Sequence, residues 1–267
     1  MTAGNRVVKI TAKTALKGRY LGAIFSSLCL IFSVIIGELL ASLVEFVSTE
    51  HFYYIFSLAY SIFITVPLLL GLIRYFWRLL FAVEDSPVSV FYYLSTKELY
   101  LKAIKLNFSI ILRAIPAALI LFFPVIAVWV LSQSFIFELI NIPIPMWTAN
   151  LDHLFVFLRT FSSVLLCVFM LKYYMSPLLF VADENMDVNE AIYMSATISK
   201  KSGLDFFYLL LSFLGWILLS VFMIPLIFTL PYMITSYAVH VRFAVAEYNK
   251  HIEKNETDEF QSFVAGF

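Results

Sequence analysis

Apolar and polar positions alternate along this chain on the scale of whole helices, with long hydrophobic runs separated by short polar breaks. The first run, 20–46, is apolar except for Glu38 and Glu45, and it follows nineteen residues with five basic side chains and no acid. Further runs cover 52–81, 104–131 and 154–182. Each exceeds the roughly 20 residues an α-helix needs to cross hydrocarbon. The first is too long for a signal-peptide core and ends without a small-residue cleavage site, so it should remain as a span. The last apolar stretch, 206–246, is about twice one span in length, and Pro225 and Pro231 bracket a hairpin within it. The pattern predicts an all-α, polytopic helical membrane protein of about six transmembrane helices. Three parts follow: a basic N-terminal segment 1–19, a six-span domain 20–248 and a flexible polar tail 249–267.

Between the spans, one polar-aromatic stretch occurs twice. Leu79, Leu80 and Phe81 match Leu178, Leu179 and Phe180; the acidic pair Glu84 and Asp85 matches Asp183 and Glu184. After one inserted residue, Val88, Tyr93 and Ser95 match Val188, Tyr193 and Ser195. In the first copy Ser86 and Pro87 have the form of an N-cap and a first-turn proline. In the second, Asp187 and Glu190 are spaced as a capping box, and Gly203 can close the helix they open. The expectation is two matching interfacial helices, related as a parallel repeat. At 18–26, Gly18, Gly22 and Ser26 recur every fourth residue and put small side chains on one helix face, which permits close helix approach.

Composition agrees with a bilayer as solvent: 62% of residues are hydrophobic and 13% charged, against about a quarter charged in ordinary globular domains. Formal net charge is zero, so there is no electrostatic footprint for nucleic acid. The distribution of charge sets orientation. With the N-terminus inside, sixteen of the eighteen Lys and Arg fall on the inner side, and the other two, Arg113 and Arg159, lie within spans. The positive-inside rule then puts both termini and both repeated helices in the cytosol. The stretch 132–153 has no Lys or Arg and reads as an outer loop. Cys29 and Cys167 both fall inside apolar runs and suit small buried hydrophobes better than a disulfide.

Three features carry a resemblance to a known family. They are the basic-to-apolar junction at Ala15, Leu16, Lys17 and Gly18; the acidic stretch followed by Glu190, Ala191 and Ser195 with Lys201 and Gly203; and the elements Ser212 to Trp216 and Pro231 with Tyr232. In these the chain resembles bacterial membrane proteins grouped as domain of unknown function 975, most strongly over 174–237. The resemblance implies a six-span helical protein of the bacterial cytoplasmic membrane with no established activity. It also implies kinship to membrane modules attached to some glycerophosphodiester phosphodiesterases, and it supplies no catalytic or ligand residues.

Candidate chemistry is sparse. No zinc-protease helix, phosphate loop, nucleophile elbow or dinucleotide fingerprint occurs. His51, His153, His240 and His251 are isolated in sequence. No catalytic residue, metal site or cofactor is expected, and the chain is not expected to be an enzyme. The acidic pairs of the repeat could hold a cation, but acids before a helix are also favoured by its positive end. Ionisable groups within spans are more informative, because hydrocarbon makes an unpaired charge costly. Glu38, Arg113 and Arg159 form a candidate intramembrane network. Arg113 is close enough to the inner end of its helix to snorkel, while Glu38 and Arg159 lie at similar depth in the outer half and could pair. Two function classes stand out: a non-catalytic membrane scaffold or accessory protein with a membrane-protein partner or a second copy, and a transporter or small-molecule or lipid-binding membrane protein. An intramembrane enzyme is a third, unsupported by any nucleophile paired with a base.

Overall fold

A computed structural model of the chain describes residues 4–47, 50–83, 85–132, 151–183, 185–222 and 224–265. The expected outer loop, 133–150, and the acids Glu84 and Glu184 of the repeat lie outside the described residues. Every regular element described is helical, and four helical runs are long and apolar enough to cross a membrane: Tyr20–Phe46, His51–Leu80, Lys97–Ser132 and His153–Ala182.

The basic N-terminal segment forms a helix, α1 (Asn5–Leu16), that the apolar-run pattern did not predict. Val8, Ala12 and Leu16 recur every four residues and are all buried, so one stripe of the helix seats itself against the core. Lys9 Nζ donates to the Ser212 carbonyl at 3.1 Å and lies over the Phe213 ring. Burial, and then the neighbouring Lys13, hold its pKa below the usual lysine range. Gly18, at φ 80°, turns the chain out of α1, a backbone conformation that glycine adopts without Cβ strain. Its role is thus in the turn, whereas Gly22 and Ser26 lie on the packed face of α2 (Tyr20–Val47). A Cβ on Gly22 would lie 2.7 Å from the Tyr75 hydroxyl, and Ser26 Oγ donates to the Pro87 carbonyl at 3.3 Å.

The second run consists of α3 (Glu50–Tyr60), a π-helical turn Ser61–Thr65 and α4 (Val66–Leu80). Pro67 has no N–H to return to the preceding turn, and the wider π turn directly before it absorbs the mismatch. The third run, after α5 (Tyr92–Ser95), is α6 (Lys97–Ser132), which continues through Pro116 and Pro124. The fourth is α7 (Leu151–Met170), a 3₁₀ turn Leu171–Tyr173 and α8 (Ser176–Ala182), with a proline in the first turn of α8.

The final apolar stretch differs from its expectation in two places. Helix α9 (Val188–Leu211) runs through Gly203 instead of closing there, because the apolar pattern continues into buried Phe206 and Leu209. The chain then passes through α10 (Leu214–Leu219) into α11 (Ile224–Ala265), and Pro231 lies inside that helix rather than at a hairpin turn. A proline removes the N–H that would bond the carbonyl four residues earlier, here Ile227, and the neighbouring Phe228 carbonyl accepts from the Tyr20 hydroxyl at 2.7 Å. The reversal comes earlier, before Pro225: Phe213 meets Tyr232, and Phe206 meets His240, so 206–222 and 224–246 lie antiparallel. Helix α11 continues through Ala265, into the polar tail 249–267.

Helices α4, α8, α9 and α11 share the main core, around Leu70, Leu178, Ile192 and Val241, with Tyr93 of α5 stacked on Phe180 of α8. The α2–α3 pair packs on one flank of that core, and the α6–α7 pair forms another, with few buried residues in its apolar windows. Large exposed apolar side chains such as Ile120, Trp129 and Phe157 give this flank a surface suited to lipid.

Candidate functional site

The break between α7 and α8 organises the second copy of the repeat. A 3₁₀ turn and a proline leave backbone groups without helical partners, and α9 provides them with serines. Ser195 Oγ donates to the Lys172 carbonyl at 3.0 Å and accepts from Met175 N at 3.2 Å. Ser199 Oγ donates to the same carbonyl at 3.1 Å. One turn further along α9, Ser202 Oγ lies 3.2 Å from the Tyr174 hydroxyl, which is 2.9 Å from His240 Nε2 on α11. Ser202 and His240 are each 2% exposed. The Tyr174 ring stacks on Phe206 with centroids 4.1 Å apart, and its carbonyl accepts from the Tyr237 hydroxyl. This buried trio is held by hydrogen bonds at every member, since Ser202 Oγ also donates to the Ile198 carbonyl at 3.1 Å, and it ties the broken helix to α9 and α11.

Above the trio, α9 and α11 diverge and leave a cavity of about 680 Å³. Ser202 lies at its buried end; Lys200, Lys201, Asp205, Glu247 and His251 give it charges of both signs, with Ile198 and Tyr248 among its apolar lining. The volume falls within the range of small-molecule sites, about 300–1,000 Å³. Asp187 caps the start of α9 through Asn189 N at 3.2 Å, and that hydrogen bond, ahead of the Lys105 charge, holds its carboxyl below the usual range. Lys105 and Arg113 tie α6 to the same place, contacting Asp187 at 3.4 Å and Asn189 Oδ1 at 2.9 Å.

The first copy is built differently. Asp85 accepts from Arg78 at 3.1 Å and lies 3.6 Å from Arg74, whose guanidinium stacks on Tyr92 at 3.7 Å. The counterpart of Asp85 in the repeat, Glu184, lies outside the described residues, while Asp183 caps Asn185 N at 2.9 Å. Ser95 is exposed and bonds only locally, to the Tyr92 carbonyl at 2.7 Å, whereas Ser195 is fully buried. The expected pair of matching helices is therefore unlike in form. The first is a 3₁₀ turn, Pro87–Phe91, followed by the single turn α5, and the second is the long helix α9.

Among the described residues, the three members of the candidate intramembrane network are not brought together. Glu38 accepts from the Tyr53 hydroxyl at 2.7 Å and from Ser57 Oγ at 3.2 Å, both on α3. Arg113 turns toward α9, and Arg159 is exposed on α7. Among the described residues no ion pair joins Glu38 to Arg159. Their helices belong to different flanks, so similar depth did not bring them together. No local spacing connects Tyr174, Ser202 and His240, which come from the turn before α8, from α9 and from α11, so in sequence His240 stands isolated and the other two carry no signal. The described residues contain no group of three or more His, Cys, Asp or Glu placed to hold a metal ion.

No curated protein and no solved structure matches the chain. The family model described as "Protein of unknown function (DUF975)" matches residues 1–245, and the chain belongs to that family.

Proposed function

We propose that this is a non-catalytic scaffold or accessory protein of the bacterial cytoplasmic membrane, engaging a partner through the cytosolic groove between α9 and α11. The observation that carries this reading is the separation of Glu38, Arg113 and Arg159, each with a different environment, while the groove between the middle stretches of α9 and α11 is lined by Lys200 and Lys201. A transport pathway needs polar groups converging at membrane depth. In this reading the antiparallel hairpin supplies a fifth and sixth crossing, and both termini are cytosolic by the distribution of basic residues. A reporter fused after Lys254 tests that topology, and an external C-terminus would remove the hairpin crossing.

A second reading, binding of a small molecule or lipid, is favoured by the groove volume and its mixed lining. A photocrosslinking side chain at Thr197, within the groove, compared with one at exposed Leu94, tests both in intact cells. The scaffold reading expects a discrete protein adduct from position 197, lost on Lys201→Glu and absent from position 94. A low-mass lipid or metabolite adduct selects the second reading. Identical adducts from both positions, or none from 197, would sink both.

A further inference from the structure

We propose that Glu38 of one copy of this protein pairs with Arg159 of a second copy inside the bilayer, joining the α2–α3 flank of one to the α6–α7 flank of the next. The inference rests on the membrane reading above and starts from depth. Four successive crossings put the end of α2 and the start of α7 on the same side of the membrane. Glu38 lies nine positions before Val47, and Arg159 eight after Leu151. At 1.5 Å per residue both are about 12–14 Å below those ends. Both side chains are exposed on helices whose surroundings are otherwise apolar. An ionised group at that depth normally faces a partner, a wet cavity or the bundle interior.

Glu38 is held ready rather than consumed by its neighbours. Tyr53 and Ser57 each donate one hydrogen bond, to different carboxylate oxygens. Each oxygen keeps another acceptor site, both donors are neutral, and among the described residues no counter-ion pairs with the carboxylate. A guanidinium can approach such a carboxylate with two parallel N–H donors. Among the described residues the Arg159 guanidinium has no acceptor, and it supplies that fork on α7. Because the two groups occupy different flanks, the contact is head-to-tail and extends to rings or rows of copies.

Self-association is read by energy transfer between labelled copies of the full chain in liposomes, over a range of protein-to-lipid ratios. Wild type is expected to associate. Glu38→Arg alone and Arg159→Glu alone should each weaken association at least tenfold, and an equimolar mixture of the two variants should restore it. Recovery in the mixture requires a contact between chains, since neither variant can form the pair internally. Should either reversal fail to fold, Glu38→Gln and Arg159→Gln replace them, with an expected weakening of at least threefold. A monomeric wild type, single variants that associate like wild type, or a mixture that stays dissociated would overturn the proposal. Retention of the protein in alkali-washed membranes is scored separately, and its loss would count against the membrane reading itself.

Discussion

The two copies of the repeat share a sequence pattern and occupy opposite environments. Val88 is 59% exposed and Val188 2%, whereas Tyr93 is 3% exposed and Tyr193 76%. Ser95 and Ser195 differ in the same way as the valines. Residues 188 and 195 are seven apart, two helical turns, so α9 presents one face inward throughout. In the first copy, the 3₁₀ turn Pro87–Phe91 and the single turn α5 change the phase and turn Tyr93 inward. The copies then meet, Tyr93 on Phe180, as unequal parts of one core. The first clamps backbone and charge tightly around α4; the second bridges a broken helix and carries the groove. Similar residues at similar spacing have been assigned different work by helix phase.

The contrast can be broken at its tightest point. A Cβ on Gly71 would run into the Val90 backbone carbonyl, which cannot move aside as a side-chain end can. Gly71→Ala is expected to cost about 3 kcal/mol, read as a lower unfolding midpoint in detergent. Next comes charge: Asp85→Ala removes a carboxylate from Arg74, whose side chain is 8% exposed. The expected loss is about 2 kcal/mol, moderated because Arg74 keeps its stacking on Tyr92. For the serines, Ser195→Ala leaves the Met175 N–H without its acceptor and is expected to cost about 1–2 kcal/mol. Ser95→Ala, at an exposed site, should stay within about 0.5 kcal/mol in the same assay. One small effect has the opposite sign. Gly203 lies within α9 with no neighbour near an added Cβ, so Gly203→Ala should stabilise by about 0.5 kcal/mol or slightly more.

The four long runs could be read from sequence because hydrocarbon demands continuous apolar helix, and little else satisfies that demand. Breaks inside runs were harder. Pro231 looked like a turn, but the Tyr20 hydroxyl supplies a donor near the disrupted backbone from another helix. The α1 stripe of Val8, Ala12 and Leu16 has a four-residue spacing, but it is interleaved with lysines and is too short and polar to stand out as an apolar run. Depth along a helix is a one-dimensional quantity, so it aligned Glu38 with Arg159 and said nothing about azimuth. The trio of Tyr174, Ser202 and His240 depends on how the turn before α8 is placed against α9 and α11, and nothing in a single sequence encodes that directly.

The claim that the copies are opposed in phase is tested most directly by cysteine labelling in membranes, with Cys29 and Cys167 replaced by serine. Val88→Cys, Val188→Cys, Tyr93→Cys and Tyr193→Cys are made singly, and their rates of reaction with a small maleimide are compared. Fast labelling is expected at positions 88 and 193, with strong protection at 188 and 93. Matching rates within each pair, 88 with 188 and 93 with 193, would contradict the account and restore the two stretches as equivalent helices.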